Sequence, residues 1–300
     1  MSMLQAVDVH VHVPTEDFME KTCGEYMASG LRLFGHGKRT FSVEEMAEEY
    51  EAAGVVGVLL GWDAETHTGL PPLPNDRVAE IVRRYPGRFI GFAGVDPWKG
   101  RAAIAELERA VRDLGLKGLK LMPAVQGFFL NDRRFYPLWE KCVELGVPIL
   151  THTGNTGLGA GCPGGLGLKL KYLRPIPHVD DVAADFPELT VIMAHPGWPW
   201  DQELLSVAMH KRNVYIDLSG WKPRYIPQQV LQFARTLLQD KCLFGTDYPI
   251  FRPQEHLDAF RSLGWEPGVL AKILKKNALK LFPYWSETGE RGAGPADAAS

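Results

Sequence analysis

Hydrophobic and polar residues alternate near the start of the chain, in the segment AVDVHVHVP at positions 6–14. Valines take every second position, and Asp8, His10 and His12 stand between them. An alternation with a period of two is typical of a β-strand whose two faces differ. The pattern therefore predicts a first strand over Leu4–His12, with valines on one face and two imidazoles and a carboxylate on the other.

Short apolar runs recur along the rest of the chain, and several are apolar throughout, as is typical of parallel strands buried on both faces. They predict seven further strands, over Val55–Trp62, Phe89–Asp96, Leu116–Met122, Val147–Thr153, Thr190–His195, Val214–Ser219 and Cys242–Asp247. Helical patterns lie between them. One begins with Ser42 and Glu45 at capping-box spacing, and another begins with Asn75 as its cap. Eight strand–helix units over about 250 residues predict an α/β fold, a (β/α)8 TIM barrel. An open doubly wound sheet is the alternative.

The ends of the chain and the long connections complete this outline. The segment PGVLAKILKKNALKLF predicts an extra C-terminal helix. Residues 286–300 are small and polar and predict a disordered tail, so that residues 1–285 form a single domain. Long connections at 14–40 and 154–177 follow the first and fifth strands. The second is rich in glycine but lacks phosphate-binding spacing, and it predicts a lid or wall over a site.

Composition and charge narrow the class of protein. Apolar residues make up 45% of the 300 residues, charged residues make up 23%, and the net charge is -3. These ordinary values predict neither a nucleic acid nor a membrane as a partner. The four cysteines form no CxxC pair, no signal peptide is visible, and no run approaches the ~20 apolar residues that a membrane helix needs. We therefore expect a cytoplasmic protein.

Side chains suited to chemistry stand at the ends of four predicted strands. They are His10 and His12 on the first, His152 on the fifth, His195 on the sixth and Asp247 on the eighth. In a TIM barrel these strand ends meet at one rim, where the active site lies. Imidazole and carboxylate groups bind Zn²⁺ and other first-row metal ions. The set predicts a metal site, whereas a structural role is the alternative for any one histidine alone.

The order of these residues resembles the amidohydrolase superfamily. The segments DVHVH, GLKGLKLMP, PILTHTG, DFPELTVIMAHPGWPW, NVYIDLSGW and LFGTDYP are similar to its branch of aminocarboxymuconate-semialdehyde and γ-resorcylate decarboxylases, over residues 4–283. The resemblance implies one divalent metal ion, Zn²⁺ first and Mn²⁺ as the alternative, held by His10, His12, His152 and Asp247. It implies that His195 is catalytic rather than a ligand, and many relatives are dimers, which makes a homodimer a further expectation.

Four more residues are candidates for binding a substrate. Lys120 lies on the predicted fourth strand, where an inward lysine is costly unless a partner holds it. Three roles are open for this lysine. It could bind a substrate carboxylate, form a salt bridge within the barrel, or be carboxylated and bridge two metals, as in binuclear members of the superfamily. Trp62, Trp198 and Trp221 follow strands two, six and seven, where they form a pocket for a planar substrate or only pack at the rim. Asp8 is expected to bond backbone or a ligand at the barrel floor.

Two reactions suit these residues. In hydrolysis, Asp247 takes a proton from a water activated by the metal, and His195 steadies the oxyanion or donates a proton. In non-oxidative decarboxylation, one of the two side chains protonates the ring carbon as carbon dioxide leaves. Because the chain is compact and no carboxylate-binding arginine stands out, we expect first a hydrolase of a small carboxylate-bearing ester, lactone or amide. A decarboxylase of an aromatic or muconate-type acid is the alternative, and a non-catalytic metal- or ligand-binding barrel is a remote one.

Overall fold

Eight parallel strands form one sheet in which each strand pairs with the next strand along the chain. The computed structural model describes residues 3–37 and 39–286. The strands are β1 (Ala6–His12), β2 (Val55–Leu60), β3 (Phe89–Gly94), β4 (Leu119–Leu121), β5 (Ile149–His152), β6 (Val191–Ala194), β7 (Val214–Asp217) and β8 (Cys242–Leu243). Strand order and parallel pairing confirm the predicted (β/α)8 TIM barrel.

Backbone hydrogen bonds between β1 and the residues at and after β8 close the barrel. The amide of Val9 donates to the carbonyl of Phe244 at 3.0 Å, and the amide of His12 donates to the carbonyl of Tyr248 at 2.9 Å. In return, the amide of Tyr248 donates to the carbonyl of His10 at 3.3 Å. The first and last strands of the chain therefore meet at one seam.

Helices surround the barrel and connect its strands. They are α1 (Gly24–Leu33), α2 (Val43–Ala52), α3 (Glu65–Thr68), α4 (Asn75–Arg84), α5 (Arg101–Arg112), α6 (Pro123–Gln126), α7 (Tyr136–Leu145), α8 (His178–Asp185), α9 (Asp201–His210), α10 (Gln228–Ala234), α11 (Pro253–Arg261), α12 (Pro267–Ala271) and α13 (Asn277–Leu281). Short 3₁₀ turns lie at Pro97–Lys99, Arg133–Phe135, Pro163–Gly167, Leu170–Leu173 and Pro223–Tyr225, and π-turns lie at Asp17–Thr22 and Lys272–Lys276. In the part of the chain that the structure describes, no helix has the length and apolar character that crossing a bilayer requires.

Three sequence predictions about helices have different outcomes. Ser42 and Glu45 form the predicted capping box of α2, with amide-to-side-chain bonds of 3.1 and 2.7 Å. The predicted C-terminal helix is confirmed as a continuous run of α12, a π-turn and α13. Asn75 is not a cap: it is the first residue of α4, and its side chain bonds both the amide and the carbonyl of Gly94. The tail predicted at 286–300 lies outside the described residues, apart from Ser286.

Two apolar layers pack on the two sides of the sheet. The inner layer fills the barrel and includes Val7 and Val9 of β1. The C-terminal helical run and the residues that follow it close this layer at the N-terminal ends of the strands, through Ala278, Phe282 and Trp285. The outer layer packs the strands against the surrounding helices. The polar strand ends are therefore left at the opposite, C-terminal end of the barrel.

The pairing of β1 with β2 shifts by one residue in the middle of the strand. Asp8 lies opposite Gly57, whereas Val11 lies opposite Leu59, so that two residues of β1 face one residue of β2. This arrangement is a β-bulge, which changes the face on which the following side chains lie. The strict two-face pattern predicted for the first strand is therefore wrong, because the bulge breaks the alternation.

The two long connections pack against each other at the C-terminal end of the barrel. The amide of Gly159 donates to the carbonyl of Tyr26 in α1 at 2.8 Å. Gly30 in α1 approaches Gly157 so closely that a Cβ atom on Gly30 would lie 2.2 Å from the carbonyl oxygen of Gly157. Only a glycine at position 30 permits this contact. The glycine-rich connection that was predicted as a lid or wall therefore packs against the connection that follows β1.

Candidate metal centre and active site

Three of the predicted metal ligands come together at the C-terminal end of the barrel. The Nε2 atoms of His10 and His12 are 3.3 Å apart. Asp247 Oδ1 lies 3.4 Å from each of these nitrogens. The three ligand atoms lie within 4.8 Å of one another, which is close enough to hold one metal ion. Two imidazoles and a carboxylate are donors that suit Zn²⁺ and Mn²⁺, so these residues fit a divalent metal.

His152 and His195 lie beside this triad. The ring centroid of His195 is 4.9 Å from that of His10 and 4.4 Å from that of His152. His152 Nε2 is 3.0 Å from the carbonyl oxygen of Asn155. Because a carbonyl only accepts, this nitrogen carries the proton and Nδ1 is the atom left for a metal. The ligand role of His152 and the catalytic role of His195 stay predictions.

His195 and Asp247 share an unusual backbone conformation. Their φ angles are 73° and 60°, in the left-handed region that side chains other than glycine rarely adopt. Such residues cost about 1–3 kcal/mol and concentrate at functional sites. The predicted sixth and eighth strands end at these residues, but β6 ends at Ala194 and β8 at Leu243. Both side chains are therefore held by the connections beyond the strands.

Asp8 binds the seam of the barrel instead of the triad. Its Oδ1 accepts from the amides of His10 and Thr246, at 3.0 Å each. Its Oδ2 accepts from the hydroxyls of Tyr50, at 2.7 Å, and Thr246, at 2.6 Å. Burial raises the pKa of Asp8 to about 6, although these hydrogen bonds oppose the rise. Asp8 precedes the bulge and faces outward to α2, whereas His10 and His12 follow the bulge and face inward. Asp8 therefore bonds backbone as predicted, but at the seam rather than at the barrel floor.

Lys120 points from β4 into the barrel and reaches the triad. Its Nζ lies 3.2 Å from His10 Nε2. Burial lowers the pKa of Lys120 to about 8, although the carboxylates of Asp247 and Asp217 oppose this change. The salt bridge considered for Lys120 would need a carboxylate within 4.0 Å of Nζ, and none occurs over residues 3–37 and 39–286. The ammonium group of Lys120 is therefore able to pair with the carboxylate of a bound ligand.

Aromatic side chains flank His12. Phe18 stacks on its ring at 5.3 Å, and buried Trp62 meets it edge-on at 5.9 Å. The other two predicted tryptophans, Trp198 and Trp221, pair with each other at 6.3 Å, and Trp198 is 46% exposed. The structure thus brings Trp62 to the triad and places the other two in contact with each other. Phe18 was missed because it lies in the connection after β1, outside every predicted strand and helix.

Burial sets the charge of the four site histidines. It lowers the pKa of His195 to about 4, and it lowers the pKa values of His10, His12 and His152 as well. Burial also tends to raise the pKa of Asp247, but the neighbouring histidines and lysine outweigh it and lower that pKa to about 2. Near neutral pH the rings are neutral and the carboxylate is ionised, which are the forms that bind metal ions.

Two buried residues behind His10 are not among the site residues predicted from the sequence. Asp217, the last residue of β7, places Oδ2 2.7 Å from His10 Nδ1. Ser219 Oγ lies 3.1 Å from His10 Nδ1 and 3.1 Å from His195 Nδ1. Both residues occur in the segment NVYIDLSGW. The signal in the sequence is that Asp217 and Ser219 stand two positions apart at the end of an apolar strand.

A family model described as Amidohydrolase matches residues 7–284, which contain every site residue named above and all of the barrel strands except the first residue of β1. The chain belongs to the amidohydrolase family. The predicted membership is thereby confirmed, and with it the enzymatic character of this barrel.

Three curated relatives show what this amidohydrolase is similar to. It is 30% identical to a 2-amino-3-carboxymuconate-6-semialdehyde decarboxylase of Dictyostelium discoideum over 106 residues, 35% of this chain and 30% of the relative. It is 34% identical to a 2-keto-4-carboxy-3-hexenedioate hydratase of Sphingobium sp. over 134 residues, 41% of this chain and 39% of the relative. These alignments span about a third of each relative's length. A γ-resorcylate decarboxylase of Polaromonas sp. is 26% identical over 251 residues, 69% of this chain and 74% of the relative.

Solved structures show the same fold. An uncharacterized TIM-barrel protein from Bordetella bronchiseptica superimposes with a TM-score of 0.75 and 29% identity, over 95% of this amidohydrolase and 99% of that chain. A dihydroxybenzoic acid decarboxylase from Polaromonas sp., solved with bound manganese and 2-nitroresorcinol, superimposes with a TM-score of 0.65 and 20% identity, over 94% of this chain and 97% of that one. At that identity the second likeness supports the fold alone.

Proposed function

We propose that this amidohydrolase is a metal-dependent, non-oxidative decarboxylase of a small aromatic or muconate-type carboxylic acid. The observation that carries the proposal is the position of Lys120, whose Nζ is 3.2 Å from the His10 side of the metal triad and has no carboxylate partner among the described residues. Of the three curated relatives, two are decarboxylases and one is a hydratase. The hydrolase of an ester, lactone or amide, which the sequence analysis placed first, has less support than this alternative.

In this proposal His10, His12 and Asp247 hold one divalent ion, and His152 completes the set through Nδ1. The ion supplies positive charge next to the carboxylate, or an adjacent hydroxyl, of the substrate. Imidazole and carboxylate donors suit Zn²⁺ and Mn²⁺ alike. The manganese of the Polaromonas decarboxylase favours Mn²⁺, whereas the sequence analysis placed Zn²⁺ first.

The remaining residues bind the acid and move a proton. Lys120 pairs with the substrate carboxylate, and Phe18 and Trp62 beside His12 provide flat apolar surfaces for its unsaturated part. When the bond to the carboxyl group breaks, its electron pair stays on the substrate carbon, which takes a proton. Asp247 or His195, which are both unprotonated near neutral pH, first takes a proton from a substrate hydroxyl or from solvent and then gives it to this carbon. Trp198 and Trp221 lie at the rim and are proposed to border the pocket.

The experiment that tests this function is a substrate screen on protein reconstituted with Mn²⁺ or Zn²⁺. The panel contains 2,6-dihydroxybenzoate, 5-carboxyvanillate and a muconate semialdehyde acid, beside a matched set of lactones, esters and amides. We expect release of carbon dioxide from at least one acid and, in heavy water, one deuterium on the carbon that lost the carboxyl group. Asp247→Asn is the control for contaminating activity. Acid release from the second set without carbon dioxide would restore the hydrolase hypothesis.

A second outcome is distinguishable in the same screen. The identity of 34% to a hydratase over 134 residues favours addition of water to an activated double bond as the second candidate function. Loss of the ultraviolet absorbance of an unsaturated keto acid without release of carbon dioxide would indicate this reaction.

The cytoplasmic location and the homodimer stay predictions. Cell fractionation and light scattering of the purified protein test them.

A further inference from the structure

The carboxylate of Asp217 is fully buried and accepts three hydrogen bonds. Its Oδ1 accepts from the amide of Ser219 at 2.9 Å. Its Oδ2 lies 2.8 Å from the Ser219 hydroxyl and 2.7 Å from His10 Nδ1. Burial raises the pKa of Asp217, although the hydrogen bonds from Ser219 and the charge of Lys120 oppose the rise. In its ionised form this carboxylate only accepts, so the hydroxyl donates to it and His10 Nδ1 carries a proton. The proton of this metal-ligand ring is therefore fixed on the nitrogen that faces away from the triad.

The same serine fixes the proton of His195. His195 Nδ1 lies 3.1 Å from the carbonyl oxygen of Ser219 and 3.1 Å from its hydroxyl oxygen. The carbonyl cannot donate, and the hydroxyl already gives its single proton to Asp217. Both oxygens therefore accept from His195 Nδ1, which must carry the proton. With a proton on Nδ1 of both rings and the Ser219 proton directed to Asp217, every hydrogen bond among these four residues has one donor and one acceptor.

Glycines at positions 220 and 245 let this group pack closely. A Cβ atom at Gly220, whose φ is +76°, would lie 2.5 Å from His195 Nδ1. A Cβ atom at Gly245 would lie 2.4 Å from Asp217 Oδ1 and 2.8 Å from Ser219 Cβ. Distances under 3.0 Å are clashes, so the two polar residues and the ring fit only because both positions lack side chains.

We infer that Asp217 and Ser219 act together as a positioning pair that holds His10 and His195 in the same tautomer. With Nδ1 protonated in both rings, the Nε2 lone pair of His10 is available to a metal and that of His195 is available to the substrate. Carboxylates that bond a metal-ligand imidazole in this way typically change metal affinity 10–100-fold when they are replaced. The part of this inference that concerns His195 in the reaction rests on the proposed function, whereas the tautomers and the metal affinity do not.

The first test needs no variant of the pair and no substrate. Two-bond proton–nitrogen spectra of the metal-free, ¹⁵N-labelled protein at pH 9, where Asp217 is ionised, show which ring nitrogen of each histidine is protonated. Comparison with His10→Asn and His195→Asn assigns the two rings. We expect the Nδ1–H form for both. The Nε2–H form in either ring would overturn the inference, whether or not the protein decarboxylates any acid.

The second test measures Mn²⁺ affinity of variants. An amide has one accepting and one donating atom, so Asp217→Asn cannot accept from both the Ser219 amide and His10 Nδ1. We expect the His10 tautomer to change and the affinity to fall about 10–100-fold. Ser219→Ala removes one of the three hydrogen bonds to the carboxylate, and we expect a smaller loss. Because the pair acts as one unit, the double variant should lose little more than Asp217→Asn alone.

A matched control separates this role from a general loss of stability. Ser29→Ala removes another buried hydroxyl, which bonds the carbonyl of Tyr26 at 2.9 Å. We expect unchanged tautomers and an unchanged Mn²⁺ affinity in this variant. If the losses of Asp217→Asn and Ser219→Ala multiply in the double variant, or if thermal stability falls while Mn²⁺ affinity stays at the value of the parent protein, the two residues are structural and the inference is wrong.

Discussion

Lys120 Nζ lies 3.2 Å from His10 Nε2, the same nitrogen that faces His12 and Asp247. An ammonium group that donates to this lone pair competes with a metal for it. Lys120→Met removes the charge and keeps much of the volume of the side chain. We therefore expect metal content at least equal to that of the parent protein. We also expect KM for acidic substrates to rise about 10–150-fold, since a hydrogen bond to a charged group contributes ~1.5–3 kcal/mol.

The same variant separates the other two roles considered for Lys120. A carboxylated lysine that bridges two metals would lose a second metal and all turnover on replacement. A purely structural lysine would lower the melting temperature and leave the kinetic constants unchanged. Lys276→Met, at an exposed position of the C-terminal helical run, is the matched control. An unchanged KM for acidic substrates contradicts the carboxylate-binding role.

Replacing His10 and His12 together by alanine removes two of the three ligand atoms that lie within 4.8 Å. We expect a folded protein that retains no divalent metal after dialysis and shows no turnover. Elemental analysis gives the metal content, and circular dichroism checks the fold. His210→Ala, at an exposed helical position, should keep the metal content of the parent protein. Full occupancy in the double variant would place the metal elsewhere.

His195→Asn tests catalysis and backbone strain at one position. Asparagine tolerates the left-handed region better than most residues, so a φ of 73° should not destabilise the variant. If His195 transfers a proton, turnover should fall roughly 10²–10⁴-fold while the metal content stays constant. Loss of the metal would instead make His195 a ligand. A companion change to valine, which resists this conformation, should lower the melting temperature.

His256 predicts a loss of stability in acid. It is buried against Phe251, with ring centroids 5.0 Å apart, and against Phe244 and Phe260. Burial lowers its pKa from 6.5 to about 4. Between these two values the unfolded chain binds the proton and the folded protein does not, so stability falls as the pH drops. From pH 7 to pH 5 this histidine alone should cost about 2 kcal/mol.

The measurement for His256 is urea unfolding at pH 7 and pH 5. His256→Phe removes the titrating group, so its stability should fall less between the two pH values than that of the parent protein. His210→Gln replaces an exposed histidine and should show the same pH difference as the parent. An equal loss of stability in His256→Phe and the parent protein would contradict this account.

The sequence predicted the barrel and three triad residues because both depend on local patterns. The alternation around His10 and His12 and the apolar run before Asp247 are visible in a few residues each. The C-terminal ends of the strands of a TIM barrel meet at one rim. Once the barrel is predicted, residues at these strand ends can therefore be assigned to one site from local patterns alone.

What the sequence did not predict depends on contacts between distant segments. The bulge in β1 exists only against β2, so the separation of outward Asp8 from inward His10 and His12 has no local signal. Asn75 has the residue type of a cap, but Gly94 supplies better partners for its side chain. Asp217 contacts a histidine that lies 207 positions earlier in the chain. Partners at that separation follow from packing and not from periodicity.

The seam of the barrel sets the order in which this site can appear during synthesis. His10 and His12 are made with the first strand of the barrel, whereas Asp247 is made after the last strand and lies beside them where the amide of His12 donates to the carbonyl of Tyr248. A growing chain therefore carries two imidazoles without their carboxylate until nearly all of the barrel has left the ribosome. Long-range pairing of this kind is also the slow part of folding. Tight capture of a metal ion thus reports that the first and last strands have met.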